Sequence, residues 1–163
     1  MKSLTPTLTF VLVLVATAVV VAQDEGGGRL RLAPGEIKAP EAATTQAGTA
    51  GVAGLQMGVL SGSPKQAGLY TIFLKLAPNT RIQPHSHPDN RVGVVVSGTW
   101  YFAYGDSFDE GKLKALPAGS FYTEPPGATH FGMTKSEPVT VYITGAGPSA
   151  TTYVNPADDP SKK

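Results

Sequence analysis

From Leu69 to Val154, short runs of β-prone residues alternate with turn-forming residues along the chain. Runs of four to eight Val, Ile, Thr, Tyr and Phe residues bounded by Gly, Pro, Asn or Asp predict strands. The predicted strands are Leu69–Leu76, Arg81–His87, Val92–Val96, Thr99–Tyr104, Gly119–Thr123, Thr129–Met133, Val139–Thr144 and Thr151–Val154. Their even spacing favours an antiparallel sandwich or barrel over alternating βα units. We therefore expect an all-β fold.

Three segments carry more specific local predictions. Val94-Val95-Val96 is apolar at every position, which is typical of a strand that is covered on both faces. Phe108–Leu116 is compatible with one helical turn, although Gly111 weakens it. Leu30–Ile37 is expected to form a short edge strand that is interrupted at Pro34-Gly35.

The first 22 residues have the layout of a secretory signal peptide. Met1-Lys2 supplies a positive start, Leu8–Val21 is an almost unbroken apolar run, and Ala22 precedes polar residues. The alternative is an uncleaved membrane anchor, but the run is shorter than the roughly 20 residues that a spanning helix needs. The chain has no cysteine, which excludes a lipid-modified cysteine and any disulfide. We expect a periplasmic or secreted protein with no stable membrane anchor.

The remaining chain divides into three parts around a single domain. Residues 23–54, which include Gly26-Gly27-Gly28, are expected to form a flexible N-terminal arm, weakly ordered or laid over the barrel. Residues 55–155 form the predicted β-barrel, and residues 156–163 form a polar tail. A length of 163 residues suffices for one domain with its own core.

Composition and charge narrow the class of partner. The chain has 19 Gly and 14 Pro, only 15% of its residues are charged, and its formal net charge is +1. This composition favours strands joined by turns over long surface helices. A near-neutral chain without a basic cluster gives no reason to expect nucleic acid or an anionic membrane surface as a partner.

All three histidines of the chain lie in two short segments that predict a metal site. His85 and His87 are two residues apart in a predicted strand, so they point to the same face, which Gln83 shares. Two such imidazoles can bind one divalent cation, although two surface histidines beside a turn would give the same pattern. His130 follows the turn Pro125-Pro126-Gly127 and would supply a third imidazole from a second strand.

These segments resemble the two sequence motifs of the cupin superfamily. His85 to Gly98 is similar to the first motif, and Gly119 to His130 matches the second motif at every fixed position. A wider likeness to small, poorly characterised bacterial cupins extends from about Leu69 to Pro160. The resemblance implies a cupin double-stranded β-helix, or jelly-roll barrel, with a divalent transition metal (Fe, Mn, Ni, Cu or Zn) held inside by His85, His87 and His130. A homodimer is compatible with this resemblance.

Arg91 stands where the family pattern usually has a glutamate ligand. The substitution leaves three neutral ligands and no carboxylate to offset the charge of the metal. We expect Arg91 to face solvent as a turn residue. If it points inward instead, a guanidinium beside a divalent metal would suit a bidentate anionic ligand such as a carboxylate, phosphate or enolate.

Two further residues are candidates for catalysis. Glu124 is the carboxylate beside the second motif, and it is either a general base, a partner of a metal ligand, or, as we expect, a solvated residue at the rim. Tyr122 could donate a hydrogen bond to a substrate, although a strand tyrosine usually packs with its hydroxyl in water. The remaining aromatic and thioether side chains are expected to pack in the barrel: Trp100, Phe102, Tyr104, Phe121, Phe131 and Met133.

Three functional hypotheses remain open. The first is a metal-dependent enzyme, dioxygenase-like or related, that acts on a small oxygenated organic molecule, because three ligands leave coordination positions open. The resemblance allows dioxygenase, isomerase and lyase activities. The second is a periplasmic binding or sensor module for a metal or small ligand; some cupins are zinc-binding anti-sigma-factor domains. The third is a barrel without a metal.

Overall fold

The computed structural model describes residues 28–38 and 49–162 in two compact units, Met1–Glu36 and Ile37–Lys163. In the first unit a 3₁₀ turn spans Pro34–Glu36. The Glu36 carboxylate accepts a hydrogen bond from the Ala33 amide at 2.6 Å, which favours the turn. The prediction of an edge strand at Leu30–Ile37 is therefore wrong. The predicted signal segment 1–22 lies outside the described residues.

The second unit is an antiparallel β-structure of ten strands in its described part. The strands are β1 (Leu55–Ser61), β2 (Gly68–Leu76), β3 (Arg81–Ser86), β4 (Arg91–Ser97), β5 (Thr99–Tyr104), β6 (Lys114–Pro117), β7 (Phe121–Glu124), β8 (His130–Met133), β9 (Val139–Gly147) and β10 (Thr152–Tyr153). One sheet has the order β1-β2-β9-β4-β7, and the other has the order β10-β3-β8-β5-β6. This arrangement is the predicted all-β jelly roll.

The sequence located most of these strands and missed two. All eight predicted strands are present with shifts at their ends, and β5 has the predicted bounds. Strand β1 was not predicted. The helical turn expected in Phe108–Leu116 is reduced to a 3₁₀ turn at Glu110–Lys112. Lys114–Pro117 instead forms β6, whose main-chain groups pair with β5.

The outer face of the first sheet carries apolar side chains that the sequence led us to place inside. Val95 is buried, whereas Val94 and Val96 are each 40% exposed and Phe121 is 61% exposed. Val94 and Phe121 are register partners on β4 and β7. One face of β4 is therefore exposed to solvent, so the prediction that this strand is covered on both faces is wrong. The prediction that Phe121 packs in the core is also wrong.

The space between the two sheets holds the core, and one end of it holds the candidate site. Buried side chains from both sheets fill the core, including Leu55, Ile72, Trp100, Val139 and Ile143. The last residues of the predicted arm contribute as well. Ala50 belongs to the core, and its carbonyl accepts a hydrogen bond from the Tyr153 hydroxyl. Within residues 28–38 and 49–162, no helix has the length and apolar character that crossing a membrane requires.

Glycines allow the tight turns that bring the motif segments together. Gly98 connects β4 to β5 with φ of +72°, and a Cβ there would lie 2.4 Å from the Pro138 carbonyl oxygen. Gly127 precedes β8 with φ of +71°, a conformation that glycine adopts at little cost. The Gly127 amide donates to the His87 carbonyl at 2.8 Å. This bond ties the turn of the second motif directly to the first.

Candidate metal centre

The three histidines meet inside the barrel, as the sequence predicts. His85 on β3 and His130 on β8 are register partners, and their ring centroids are 4.4 Å apart. His87 follows the end of β3, and its ring lies 5.0 Å from that of His85 and 5.3 Å from that of His130. All three side chains are buried. One ring nitrogen from each histidine lies within 4.8 Å of the others.

Each imidazole is oriented by a bond from its Nδ1 atom to a backbone carbonyl. His85 Nδ1 donates to Gln83 O at 2.8 Å, His87 Nδ1 to Ala150 O at 2.7 Å, and His130 Nδ1 to Ala128 O at 3.0 Å. Because a carbonyl oxygen only accepts, Nδ1 must carry the proton in each ring. The Nε2 atoms then present lone pairs. This carbonyl–imidazole arrangement is the one that typically supports metal-bound histidine.

The unsatisfied atoms of the cluster fit a cation. The Nε2 atoms of His87 and His130 are buried and have no hydrogen-bond partner. A buried polar atom left without a partner costs about 1–3 kcal/mol. Nitrogen lone pairs that converge in a protected cavity are suitable ligands for a divalent transition metal. The donor set therefore fits the metal that cupins commonly bind.

The protein environment keeps the imidazoles neutral. Burial, with a smaller effect of His130, lowers the pKa of His85 to about 3. Burial and the Arg91 guanidinium lower the pKa of His87 to about 2. Burial also lowers the pKa of His130. Neutral imidazoles need not lose a proton before they bind a metal.

Arg91 points into the barrel, so the expected solvent-facing position is wrong. Its exposed fraction is 3%, and that of Glu124 is 4%, so the rim position expected for Glu124 is also wrong. Arg91 and Glu124 are register partners on β4 and β7. The Arg91 Nε atom donates to Glu124 Oε2 at 2.8 Å, and Nη2 donates to the same oxygen. The two residues form a buried ion pair beside the histidines.

The buried ion pair is held in its charged form. Burial raises the pKa of Glu124, but Arg91, His130 and His87 outweigh that effect and lower it to about 2. Burial lowers the pKa of Arg91, whereas Glu124, Tyr70 and Asp89 more than offset it and keep that pKa above its ordinary value. A carboxylate with such a low pKa is a weak proton acceptor at neutral pH.

A small cavity and a larger pocket share a wall at Phe102 and Tyr122. The inner cavity has a volume of about 30 Å³, and its lining includes His85, His130 and Glu124. The outer pocket has a volume of about 480 Å³ and carries Lys112 and Lys114. The Phe102 and Tyr122 rings are 4.6 Å apart. These two side chains stand between the histidines and the pocket that a small molecule could enter.

Tyr122 is buried in the barrel and also lines the outer pocket. Burial and the nearby Glu124 carboxylate raise its pKa well above 10, so the hydroxyl keeps its proton. Trp100, Phe102 and Phe131 are buried, as predicted, whereas Tyr104 is exposed and Met133 is half-buried. Gln83 contributes its backbone carbonyl to the site rather than its side chain.

Sequence reasoning missed two buried residues behind Arg91. The Tyr70 hydroxyl donates to Asp89 Oδ2 at 2.7 Å, and both residues interact electrostatically with Arg91. Asp89 stands in a Pro-Asp-Asn sequence that resembles an exposed turn. A buried arginine needs negative partners. If the sequence had shown that Arg91 points inward, the need for a negative partner would have identified Asp89 as a candidate.

Comparison with known proteins supports the cupin fold. A family model described as the ChrR cupin-like domain matches residues 39–150. The polyketide cyclase RemF from Streptomyces resistomycificus is similar in structure, with TM-score 0.64 and 17% identity over 82% of this chain and 91% of that chain. The DMSP lyase DddQ from Ruegeria pomeroyi gives TM-score 0.52 and 16% identity over 60% of this chain and 50% of that chain.

A third similar structure is a sugar phosphate isomerase of the cupin superfamily from Silicibacter pomeroyi. It gives TM-score 0.50 and 15% identity over 61% of this chain and 65% of that chain. No curated protein matches this chain. At such low identities the structural likeness shows a common fold, and the activities named belong to those proteins.

Proposed function

This chain belongs to the ChrR cupin-like family, and we propose that it is a metal-dependent enzyme that acts on a small oxygenated organic molecule. The observation that carries the proposal is the convergence of three buried histidines, each of which has one ring nitrogen within 4.8 Å of the others. His85, His87 and His130 would hold the metal. A divalent transition metal bound there supplies Lewis-acid chemistry or presents the molecule to O₂, as in a dioxygenase.

The surrounding residues support a reaction on a molecule that reaches the cavity from the outer pocket. Lys112 and Lys114 line that pocket, and their ammonium groups favour an anionic substrate. The protonated Tyr122 hydroxyl can donate a hydrogen bond to a substrate oxygen. Arg91 donates hydrogen bonds from Nε and Nη2 to Glu124, so it serves the site by orienting that carboxylate.

A non-catalytic binding or sensor protein is the second candidate. The observation that favours it is the engagement of Glu124 by two hydrogen bonds from Arg91, because a catalytic site usually has a proton acceptor that is free to react. A binding module needs only the metal and the pocket. The two candidates therefore differ in turnover and not in metal content.

The experiment that separates them uses protein loaded with Fe²⁺, Mn²⁺, Ni²⁺ or Zn²⁺ and a panel of small hydroxy, oxo and enolisable carboxylic acids. NMR follows each compound with and without O₂. We expect the wild type to consume at least one compound and the Tyr122→Phe variant to consume it at least about tenfold more slowly with the same metal content. Binding of panel compounds without any consumption would contradict the enzyme proposal and support the binding module.

We further propose that the protein is exported to the periplasm or secreted. The support is the positive start, the apolar run and the small residues before Gln23. Intact-mass measurement of material collected outside the cytoplasm should give a chain that begins at or near Gln23. Exported protein that keeps residues 1–22 would contradict cleavage, and protein confined to the cytoplasm would contradict export.

A further inference from the structure

A row of residues crosses the first sheet towards the histidines. Tyr70 on β2 pairs with Gly145 on β9, Gly145 pairs with Arg91 on β4, and Arg91 pairs with Glu124 on β7. Residues in register across neighbouring strands point to the same face. Glu124 lies at the end of this row, on the edge strand β7.

The Glu124 carboxylate faces two imidazole nitrogens. Its Oε2 atom lies 3.7 Å from His87 Nε2 and 3.6 Å from His130 Nε2. Since the histidine protons are on Nδ1, two nitrogen lone pairs point towards an anionic oxygen without a hydrogen between them. Such groups repel unless a cation lies among them. Two ligands of one ion with bonds of about 2.0–2.2 Å lie roughly 3.0–3.6 Å apart.

We propose that Glu124 is the fourth protein ligand of the metal and replaces the glutamate that Arg91 displaces from the family motif. This inference rests on the proposed metal site and adds a ligand to it. In this chain the carboxylate ligand comes from β7, at the position that pairs with residue 91 on β4. The site then has three imidazoles and one carboxylate. Two coordination positions of a six-coordinate metal stay open for a substrate.

Arg91 is a positioning residue in this arrangement. A carboxylate offers roughly four lone-pair sites, and both bonds from Arg91 end on Oε2, so the sites on Oε1 stay available to a metal. The guanidinium is bonded to the Glu124 carboxylate and also interacts electrostatically with the Asp89 carboxylate. The three groups together carry one net negative charge, as a single glutamate ligand would. The charge that the family glutamate normally supplies is thus restored.

Gly145 leaves the room that the buried charges occupy. A Cβ at this position would lie 2.6 Å from the Tyr70 hydroxyl and 2.8 Å from Asp89 Oδ2. Real side chains essentially never approach so closely, so an alanine would displace the pair that supports Arg91. Gly145 therefore supports the site indirectly, because it leaves space for the residues that hold Arg91.

Titration with Co²⁺ tests the proposal, because its visible spectrum reports the number and type of ligands independently of turnover. We expect Glu124→Gln to weaken Co²⁺ binding by at least about tenfold and to change the spectrum. Asp89→Asn, which removes a nearby charge but no ligand, is the matched control and should keep the wild-type spectrum. The double variant R91M/E124Q, which removes both charges of the ion pair, should fold and show the altered spectrum of Glu124→Gln.

The outcomes separate this inference from the proposed function. If Glu124→Gln, or the double variant when the single one fails to fold, binds Co²⁺ with wild-type affinity and spectrum, Glu124 is not a ligand. The histidine site would then stand alone and the proposed function would survive. If the wild type itself binds no Co²⁺, the metal site fails and the proposed function fails with it.

Discussion

Replacing Arg91 with methionine should lower the free energy of unfolding of the metal-free protein by about 3–5 kcal/mol. The change removes one partner of a buried ion pair and leaves the Glu124 carboxylate in the barrel without its guanidinium, which is the costly case for buried charges. Domains of this size are stable by only about 5–15 kcal/mol, so the loss is a large fraction. Denaturant unfolding in the presence of a chelator measures it.

Two matched variants identify the cause of the loss. Arg91→Met combined with Glu124→Leu and Asp89→Asn removes all three buried charges and should recover most of the stability, because apolar or neutral replacements of buried ionic groups are often neutral or better. Arg81 pairs with Glu110 at 3.8 Å with both side chains exposed, so Arg81→Met should cost about 1 kcal/mol or less. If Arg91→Met costs as little as Arg81→Met, the pair is not buried in solution.

The histidine site could be predicted because short segments of the sequence determine where its side chains lie. The spacing of His85 and His87 places both side chains in the barrel, and Pro125-Pro126-Gly127 fixes the turn that leads to His130. The hydrogen bond from Gly127 N to His87 O joins the two segments. The pairing of His85 with His130 follows from that junction. Each step depends on a motif of a few residues.

The positions of Arg91 and Glu124 could not be predicted in the same way. Alternation along β4 decides that Arg91, Gly93 and Val95 face inward, but valines on both faces hide that alternation in the sequence. On β7 the exposed Phe121 and the buried Glu124 lie on opposite faces, so hydrophobicity gives the wrong inner face for this strand. The ion pair also joins residues 33 positions apart. Only the register of two paired strands brings them together.

Short strands that carry polar residues escaped prediction for a related reason. Lys114–Pro117 has a single buried residue, Leu116, so it has too little apolar pattern to distinguish it from a loop. Its strand structure depends on main-chain bonds to β5. Pairing with a neighbour, and not the local sequence, determines this element.

Replacing His87 with alanine should weaken binding of a divalent transition metal by more than about 100-fold. Even residues that only support a metal ligand are worth about 10–100-fold in affinity, and His87 supplies one of the nitrogens directly in this account. His85→Ala and His130→Ala should behave alike. Competition with a chromophoric chelator measures the affinity of each variant.

A buried polar residue outside the histidine cluster provides the control for general destabilisation. Thr134 is fully buried and bonds to the Thr80 amide and the Ala77 carbonyl. Thr134→Val should therefore lower stability and leave metal affinity unchanged. Loss of metal binding in this variant would mean that the histidine effects reflect damage to the barrel rather than loss of a ligand.

Elemental analysis of the purified protein tests the metal site most directly. The wild type, purified without chelator and supplied with Fe²⁺, Mn²⁺, Ni²⁺, Cu²⁺ and Zn²⁺, should contain about one transition-metal ion per chain. The His87→Ala variant prepared alongside should retain less than about a tenth of that amount. A folded wild-type protein that contains no metal after this treatment, or a His87→Ala variant with full metal content, would contradict the account.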